Sequence, residues 1–284
     1  MLLPSAFYRL PHVVASGSWH MAADLALLEW VSQGPARLVF RTYSWDRPTL
    51  SLARAEPFPD GWDEGALARA GIQVVRRPTG GGAVLHVEEV TFALAASIPG
   101  PWGFTPRAFS SAAAETLSSA LRACGLEGSA TPWRARAALH PAADIRPGNT
   151  LCFARSDPGE IEARGYKVAG IASRFGRSGA LCHASVPLTG RSRSVAELRT
   201  GASRDREALE GNARSVGELL GAPAQGVEGL GRAIAAALEA GISSRFQAAF
   251  RSVSLGGVGL AAPATADAAE RTPTAGATMA AQGA

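Results

Sequence analysis

Residues 74–86 read VVRRPTGGGAVLH. A β-branched run ends at Arg76 and Arg77, a Pro–Thr step leads into Gly80, Gly81 and Gly82, and a second apolar run closes at His86. Consecutive glycines between strand-like runs let the backbone approach a ligand with no Cβ in the way. Their N–H groups suit a phosphate or a carbonyl oxygen, and the two arginines suit an anion or carboxylate. The same stretch also reads as a plain glycine-rich hairpin with solvated arginines. It is not a Walker A loop, since no Lys-Ser/Thr follows, and it lacks the dinucleotide fingerprint.

Upstream, RLVFRTYSW (37–45) and PTLSLARA (48–55) read as two strands joined by a turn at Asp46, Arg47 and Pro48. GWDEGALARAG (61–71) reads as a short helix closed by Gly71. Met21, Leu25 and Leu28 give an apolar stripe that predicts a first helix over 20–30. Downstream, VTFALAASI (90–98) is almost continuously apolar, as a central strand is. A helix is expected over 106–124, stopped by Gly125. Residues 126–150 have no periodicity and read as a long loop. A turn at Arg164 and Gly165 then introduces YKVAGIAS (166–173), followed by ALCHASVPL (180–188), both as strands. Residues 195–255 turn helical, and 256–284, rich in Ala, Thr, Gly and Pro, read as a disordered tail. The expected fold class is α/β (α+β), a mixed β-sheet with flanking helices.

Composition bounds the function. The 284 residues are 46% hydrophobic and 18% charged, values of a globular protein with a substantial core. The net charge of +4 falls short of a nucleic-acid signature. No apolar run is long enough for a membrane span, and the N-terminal stretch lacks the pattern of a signal peptide. Three widely spaced cysteines point to a reducing compartment, hence the cytoplasm. No Cys/His spacing resembles a zinc site, so no metal is expected.

Lys167, in EARGYKVAGIASRFG (162–176), is the only lysine, every other basic side chain being arginine. A site that needs a compact ammonium on a flexible stem explains this, because a planar guanidinium cannot imitate it. Chance explains it too. Cys152 lies fifteen residues earlier in NTLCFARSDPGEIEARGYK. A thiol there is either a buried apolar residue or an acyl acceptor, with the nearby ammonium favouring its thiolate. Cys182, alternating within a strand, and Cys124, at a helix end, read as structural. His86 and His183 each suit a general base or a substrate hydrogen bond, and neither shows a carboxylate partner in the sequence.

Together these segments resemble the lipoate/biotin protein ligase superfamily. MAADLALLEW is similar to its first helix, RTYSWDRPTLSLARAEP to its early strand pair, RRPTGGGAVLH to its Gly-rich acyl-binding signature and YKVAGIAS to its lysine strand. The match runs from about residue 18 to 190, with four motifs in the family's order. Cys152, Glu160 and Lys167 resemble, in type and spacing, the octanoyltransferase branch rather than the ATP-dependent ligases. Three positions depart from that branch: Val87 follows His86 where aspartate is usual, Gly82 stands where arginine is frequent, and Ala184 follows His183 where glycine is common.

The resemblance implies a catalytic domain over 1–194, completed by the helical part 195–255. It implies Cys152 as nucleophile and Lys167 as the contact to the acyl carbonyl. Arg76, Arg77, Gly80, Gly81, Gly82, His86, Gly170 and His183 become substrate-binding residues. The implied donor is octanoyl-acyl carrier protein. The implied acceptor is a lipoyl carrier domain such as the glycine cleavage H protein or a 2-oxoacid dehydrogenase E2. Neither nucleic acid nor membrane is an expected partner. No cofactor is expected; ATP and magnesium enter only if the chain is instead a lipoate ligase. A non-catalytic binder of acylated carrier domains is the other alternative, motivated by Val87.

Overall fold

The structure is a computed structural model and describes residues 6–100, 103, 105–130, 151–157, 159–200, 203–221, 226–246 and 250–261. Its elements are β1 (Ala6–Arg9), β2 (Val13–Ala15), α1 (Gly17–Ser32), β3 (Arg37–Trp45), β4 (Thr49–Leu52), α2 (Glu64–Arg69), β5 (Gln73–Arg76), β6 (Val84–His86) and β7 (Glu89–Ser97). There follow α3 (Pro106–Ala123), β8 (Ser129–Ala130), a 3-10 turn at Cys152–Ala154, β9 (Ile161–Ala163), β10 (Tyr166–Phe175) and β11 (Gly179–Pro187). A 3-10 segment (Gly190–Leu198), α4 (Ser203–Asn212), α5 (Val216–Leu220), α6 (Gly226–Phe246), β12 (Arg251–Ser252) and a last 3-10 turn (Gly256–Val258) complete the chain.

Two sheets result. The large one runs β12-β1-β3-β7-β11-β10-β9-β8, with β2 also paired to β3; the small one is β5-β4-β6. Parallel pairs (β1 with β3 and β12, β4 with β5) sit beside antiparallel ones, so both sheets are mixed. β7 is buried at every position, between β3 and β11, as its unbroken apolar run requires. The two strands expected on either side of residues 46–48 are both present. β3 and β4 follow one another but belong to different sheets, because the chain crosses at Asp46 and Arg47 from the large sheet to the small one.

Three apolar clusters fix the layers. On one face of the large sheet, Phe40, Phe92 and Leu94 pack against Phe109, Leu117 and Leu121 of α3 and Ile234, Leu238 and Ile242 of α6. On the other face α1 brings Leu27 and Val31 onto Val39, Tyr43 and Leu181. The small sheet has its own core, where Leu50, Leu85 and Trp62 meet Phe153, Leu198 and Leu209. Ser16 caps α1, its hydroxyl accepting from Trp19 N at 3.3 Å.

The boundary of the expected tail moves. Residues 256–261 are described: Val258 is buried in the α1 cluster, Leu255 and Leu260 pack against it, and Trp19 Nε1 donates to Ala261 O at 3.1 Å. Residues 262–284 lie outside the described residues, as do 131–150 of the expected loop.

Candidate active site

Cys152 opens the 3-10 turn on the small sheet's core, with its N–H donating to Ala83 O at 2.9 Å. That bond ties it to the strand leaving the Gly-rich segment. Lys167 reaches it from β10. Its Nζ donates to Cys152 O at 2.5 Å and Arg155 O at 3.1 Å, pairs with Glu160 Oε2 at 2.6 Å, and lies 3.4 Å from Cys152 Sγ. The lysine side chain is 1% exposed. A guanidinium has no room for this convergence of two carbonyls, a carboxylate and a thiol on one nitrogen. Glu160 in turn accepts from Asp157 N at 2.7 Å, and its other oxygen lies 3.8 Å from Cys152 Sγ.

Charge balance follows from burial. Burial works against the Lys167 ammonium, but the Cys152 sulfur and Glu160 carboxylate outweigh it and hold the lysine above its ordinary range. Burial pushes Glu160 up against the pull of Lys167. Burial likewise raises the Cys152 thiol, opposed by Lys167 and Arg77. The lysine is therefore a fixed cation beside a resting thiol. Cys182 sits in the large core with its thiol pushed up to about 12, and Cys124 is half-buried at the end of α3. Both suit the structural reading.

Gly170 lies where β10 passes the sulfur. A Cβ there would stand 3.1 Å from Cys152 Sγ and 3.6 Å from the Phe153 ring. Beyond it opens a narrow cleft, with a volume of about 30 Å³. Cys152, Gly170, Arg77, His86 and His183 all line it, with Met21, Tyr43, Trp45, Val84 and Ile171 supplying apolar wall.

The remaining expected residues divide. Arg77 is buried, its Nη1 donating to Ser51 O (2.9 Å) and its Nη2 to Gly80 O and Gly82 O (both 2.7 Å). The Gly-rich segment thus wraps a guanidinium with its carbonyls. Gly81, at φ +101°, makes that reversal, a conformation an L side chain resists. Arg76 turns away and donates to Ala53 O (2.9 Å) and Glu56 O (2.6 Å). Gly80 faces a neighbouring surface cleft with Arg54 and Phe175.

Both histidines have carboxylate partners, which corrects the sequence reading. His86 Nδ1 meets Glu89 Oε1 at 2.8 Å while its Nε2 meets Ser51 Oγ at 2.7 Å. His183 Nδ1 meets Asp24 Oδ2 at 3.0 Å while its Nε2 meets Thr79 Oγ1 at 2.7 Å. Glu89 lies three residues from His86, a spacing visible in the sequence. Asp24 was legible only as a lone acid on the apolar face of α1, and Ser51 carried no signal. Among the described residues, no cluster of three or more His, Cys, Asp or Glu forms a metal site. No described helix is long and apolar enough to cross a membrane.

Comparisons with known proteins agree on one family. The model of the lipoyl protein ligase A/B catalytic domain matches residues 16–229. The octanoyltransferase LipM of Kyrpidia tusciae is 32% identical over 249 residues, covering 82% of this chain and 89% of that protein. The LipM of Anoxybacillus flavithermus is 32% identical over 174 residues, or 61% of this chain and 62% of that one. Among solved structures, protein Ta0514 of T. acidophilum with bound lipoic acid has a similar fold, with a TM-score of 0.66 at 18% identity over 88% of this chain and 89% of that one.

Proposed function

The chain belongs to the lipoyl protein ligase A/B catalytic domain family, and from that membership we propose that it is a protein octanoyltransferase acting through a thioester on Cys152. The observation that carries this reading is the Cys152 sulfur 3.4 Å from the Lys167 ammonium in an apolar cleft. An ATP-dependent ligase needs no such thiol. The relatives named octanoyltransferase LipM support the same reaction.

In the first step Cys152 Sγ attacks the octanoyl thioester of acyl carrier protein. A new C–S bond forms, the old one breaks, and the phosphopantetheine thiol leaves with the proton that Cys152 gives up. The Lys167 ammonium favours the attacking thiolate and the oxyanion of the tetrahedral intermediate. The apolar walls from Met21, Trp45, Val84 and Ile171 hold the eight-carbon chain away from water. In the second step a lysine of a lipoyl carrier domain takes the chain as an amide. Neither step requires a cofactor or metal. The glycine cleavage H protein and the lipoyl domain of a 2-oxoacid dehydrogenase E2 are the acceptor classes. A free thiol nucleophile suits the reducing cytoplasm.

The test is intact mass after incubation with octanoyl-acyl carrier protein, without ATP. A hydroxylamine-sensitive octanoyl adduct is expected, and it is absent in Cys152→Ala. Acyl transfer that instead needs free octanoate, ATP and magnesium, and survives Cys152→Ala, overturns the reading in favour of a ligase.

A further inference from the structure

Two histidines, each paired with a buried carboxylate behind it, line the cleft, and the pairs differ in one physical respect. Asp24, the partner of His183, is also bound by Arg41 Nη2 at 2.5 Å. Its carboxyl is held down to about 2: burial alone would raise it, but Arg41 and His183 more than offset that. The arginine already balances its negative charge, so little is left to stabilise an imidazolium at His183. Burial keeps His183 below the ordinary histidine range. This pair is scaffolding: it ties α1 to β11 and to the Gly-rich segment through Thr79.

Glu89 is different. Among the described residues its ion pairing is to His86 alone, and its other partners are neutral donors. Trp45 Nε1 donates at 3.0 Å, Thr91 Oγ1 at 2.5 Å, and the Ser185 hydroxyl also donates to it. Burial would raise this carboxyl, but His86 and the two hydroxyls more than offset that and hold it ionised. Its full negative charge therefore faces one group able to become cationic.

The hydrogen bonds also fix which nitrogen works. With Nδ1–H donating to Glu89, His86 Nε2 is an acceptor, aimed at Ser51 Oγ 2.7 Å away. The ring is stacked on Trp45, 3.9 Å between centroids, so it cannot swing. Ser51 and His86 line the same cleft as Cys152. The titratable and charged groups around His86 are Glu89 on β7, Arg77 beyond Ser51, His20 on α1, His183 on β11 and Cys152 across the cleft.

We propose that Ser51, His86 and Glu89 form the proton-accepting relay of the second half-reaction, in which an amine displaces Cys152 from the acyl group. This rests on the thioester reading above. It also answers a need that Lys167 does not meet, since a cation paired to Glu160 has no vacancy for a proton. The first half-reaction exchanges thiol for thiol and moves no net proton away from sulfur. The second is different. The free amine of the incoming lysine bonds to the thioester carbonyl carbon and must shed a proton. Ser51 Oγ takes it while passing its own to His86 Nε2, and Glu89 stabilises the imidazolium. Collapse breaks the C–S bond, and the Cys152 thiolate recovers that proton from His86 through Ser51. The products are the amide and the free thiol.

The experiment compares two acceptors on the preformed octanoyl-enzyme: a purified E2 lipoyl domain, and the small thiol N-acetylcysteamine. In His86→Gln the ratio of amine transfer to thiol exchange is expected to fall about 100-fold or more. Glu89→Gln keeps an acceptor for Nδ1–H but removes the charge, and the same ratio falls about 10-fold or more. A loss of folding slows both acceptors together and leaves the ratio unchanged. An unchanged ratio in both variants, with thermal unfolding as in the wild type, overturns the relay. A fall in His183→Gln but not in His86→Gln assigns the role to the other pair and overturns it as well. If the wild-type enzyme never forms the octanoyl adduct, the thioester reading fails first and takes the relay with it. An adduct with an unchanged ratio leaves that reading standing and removes only the relay.

Discussion

At the scale of single residues, the site turns on where one nitrogen and one missing methyl group sit. Lys167 Nζ touches two carbonyl oxygens, a carboxylate and a sulfur, all within 3.4 Å. Lys167→Arg keeps the charge but spreads it over a plane that this space does not fit. Octanoyl transfer is expected to fall about 100-fold or more, read as the rate of adduct formation by intact mass. Near-normal turnover would remove the lysine from the mechanism. Gly170→Ala places a Cβ 3.1 Å from Cys152 Sγ, tighter than ordinary contact, so the sulfur shifts by a few tenths of an ångström. Self-acylation is expected to slow about 10-fold while urea unfolding changes by about 1–3 kcal/mol. Wild-type acylation in this variant would mean the sulfur's position is not critical. Lys167 and Cys152 were legible in the sequence because each carries reactive chemistry. Ser51 was not, since a serine within an apolar strand looks like any other until its partners are in place.

At the scale of elements, local hydrogen bonds decide how the segments behind the site are joined. Ser215 and Glu218 form a capping box at the start of α5, and Glu218 also holds Arg193 of the 3-10 segment with bonds of 2.6 and 2.7 Å. These contacts, the Arg193 bond foremost, lower the Glu218 carboxyl to about 2 from an ordinary 4.5. Because the folded value is depressed, its stabilisation is present above about pH 4.5 and drains away as pH falls towards 2. Glu218→Gln is therefore expected to be less stable than wild type at neutral pH. The gap closes between about pH 4.5 and 2, followed as thermal midpoints by circular dichroism. A gap independent of pH would show that shape rather than charge matters there. Element positions were largely readable: α1, α3, β7, β10 and β11 stand where apolar periodicity puts them. Partnership was not, and the separation of β3 from β4 into different sheets is the clearest case. A strand's own residues encode its two faces but not which edge it joins.

At the scale of the whole molecule, the helical part that follows β11 divides between the two cores: α4 joins the small sheet's, and α5 and α6 share the main one. Leu238 of α6 is 0% exposed among Phe40, Phe92, Leu117 and Leu121. Leu238→Ala is expected to cost about 2–5 kcal/mol. Tryptophan fluorescence and far-ultraviolet circular dichroism should still give coincident urea transitions. Separate transitions would show α6 and the sheet unfolding independently. The sequence by itself determined the fold class and the positions of most strands and helices along the chain, and it singled out Lys167 and Cys152 as candidate chemistry. These depend on periodicity, glycine punctuation and side-chain chemistry, which are properties of neighbouring positions. Only the tertiary structure decided that Arg77 is wrapped by the Gly-rich segment, that Asp24 reaches His183, and that Glu89 keeps its charge for His86. Those outcomes depend on which buried charge finds which partner, whether three residues away, as Glu89 is from His86, or across the fold, as Asp24 is from His183. Burial fixes that choice, because an uncompensated charge in the interior costs more than any local preference supplies.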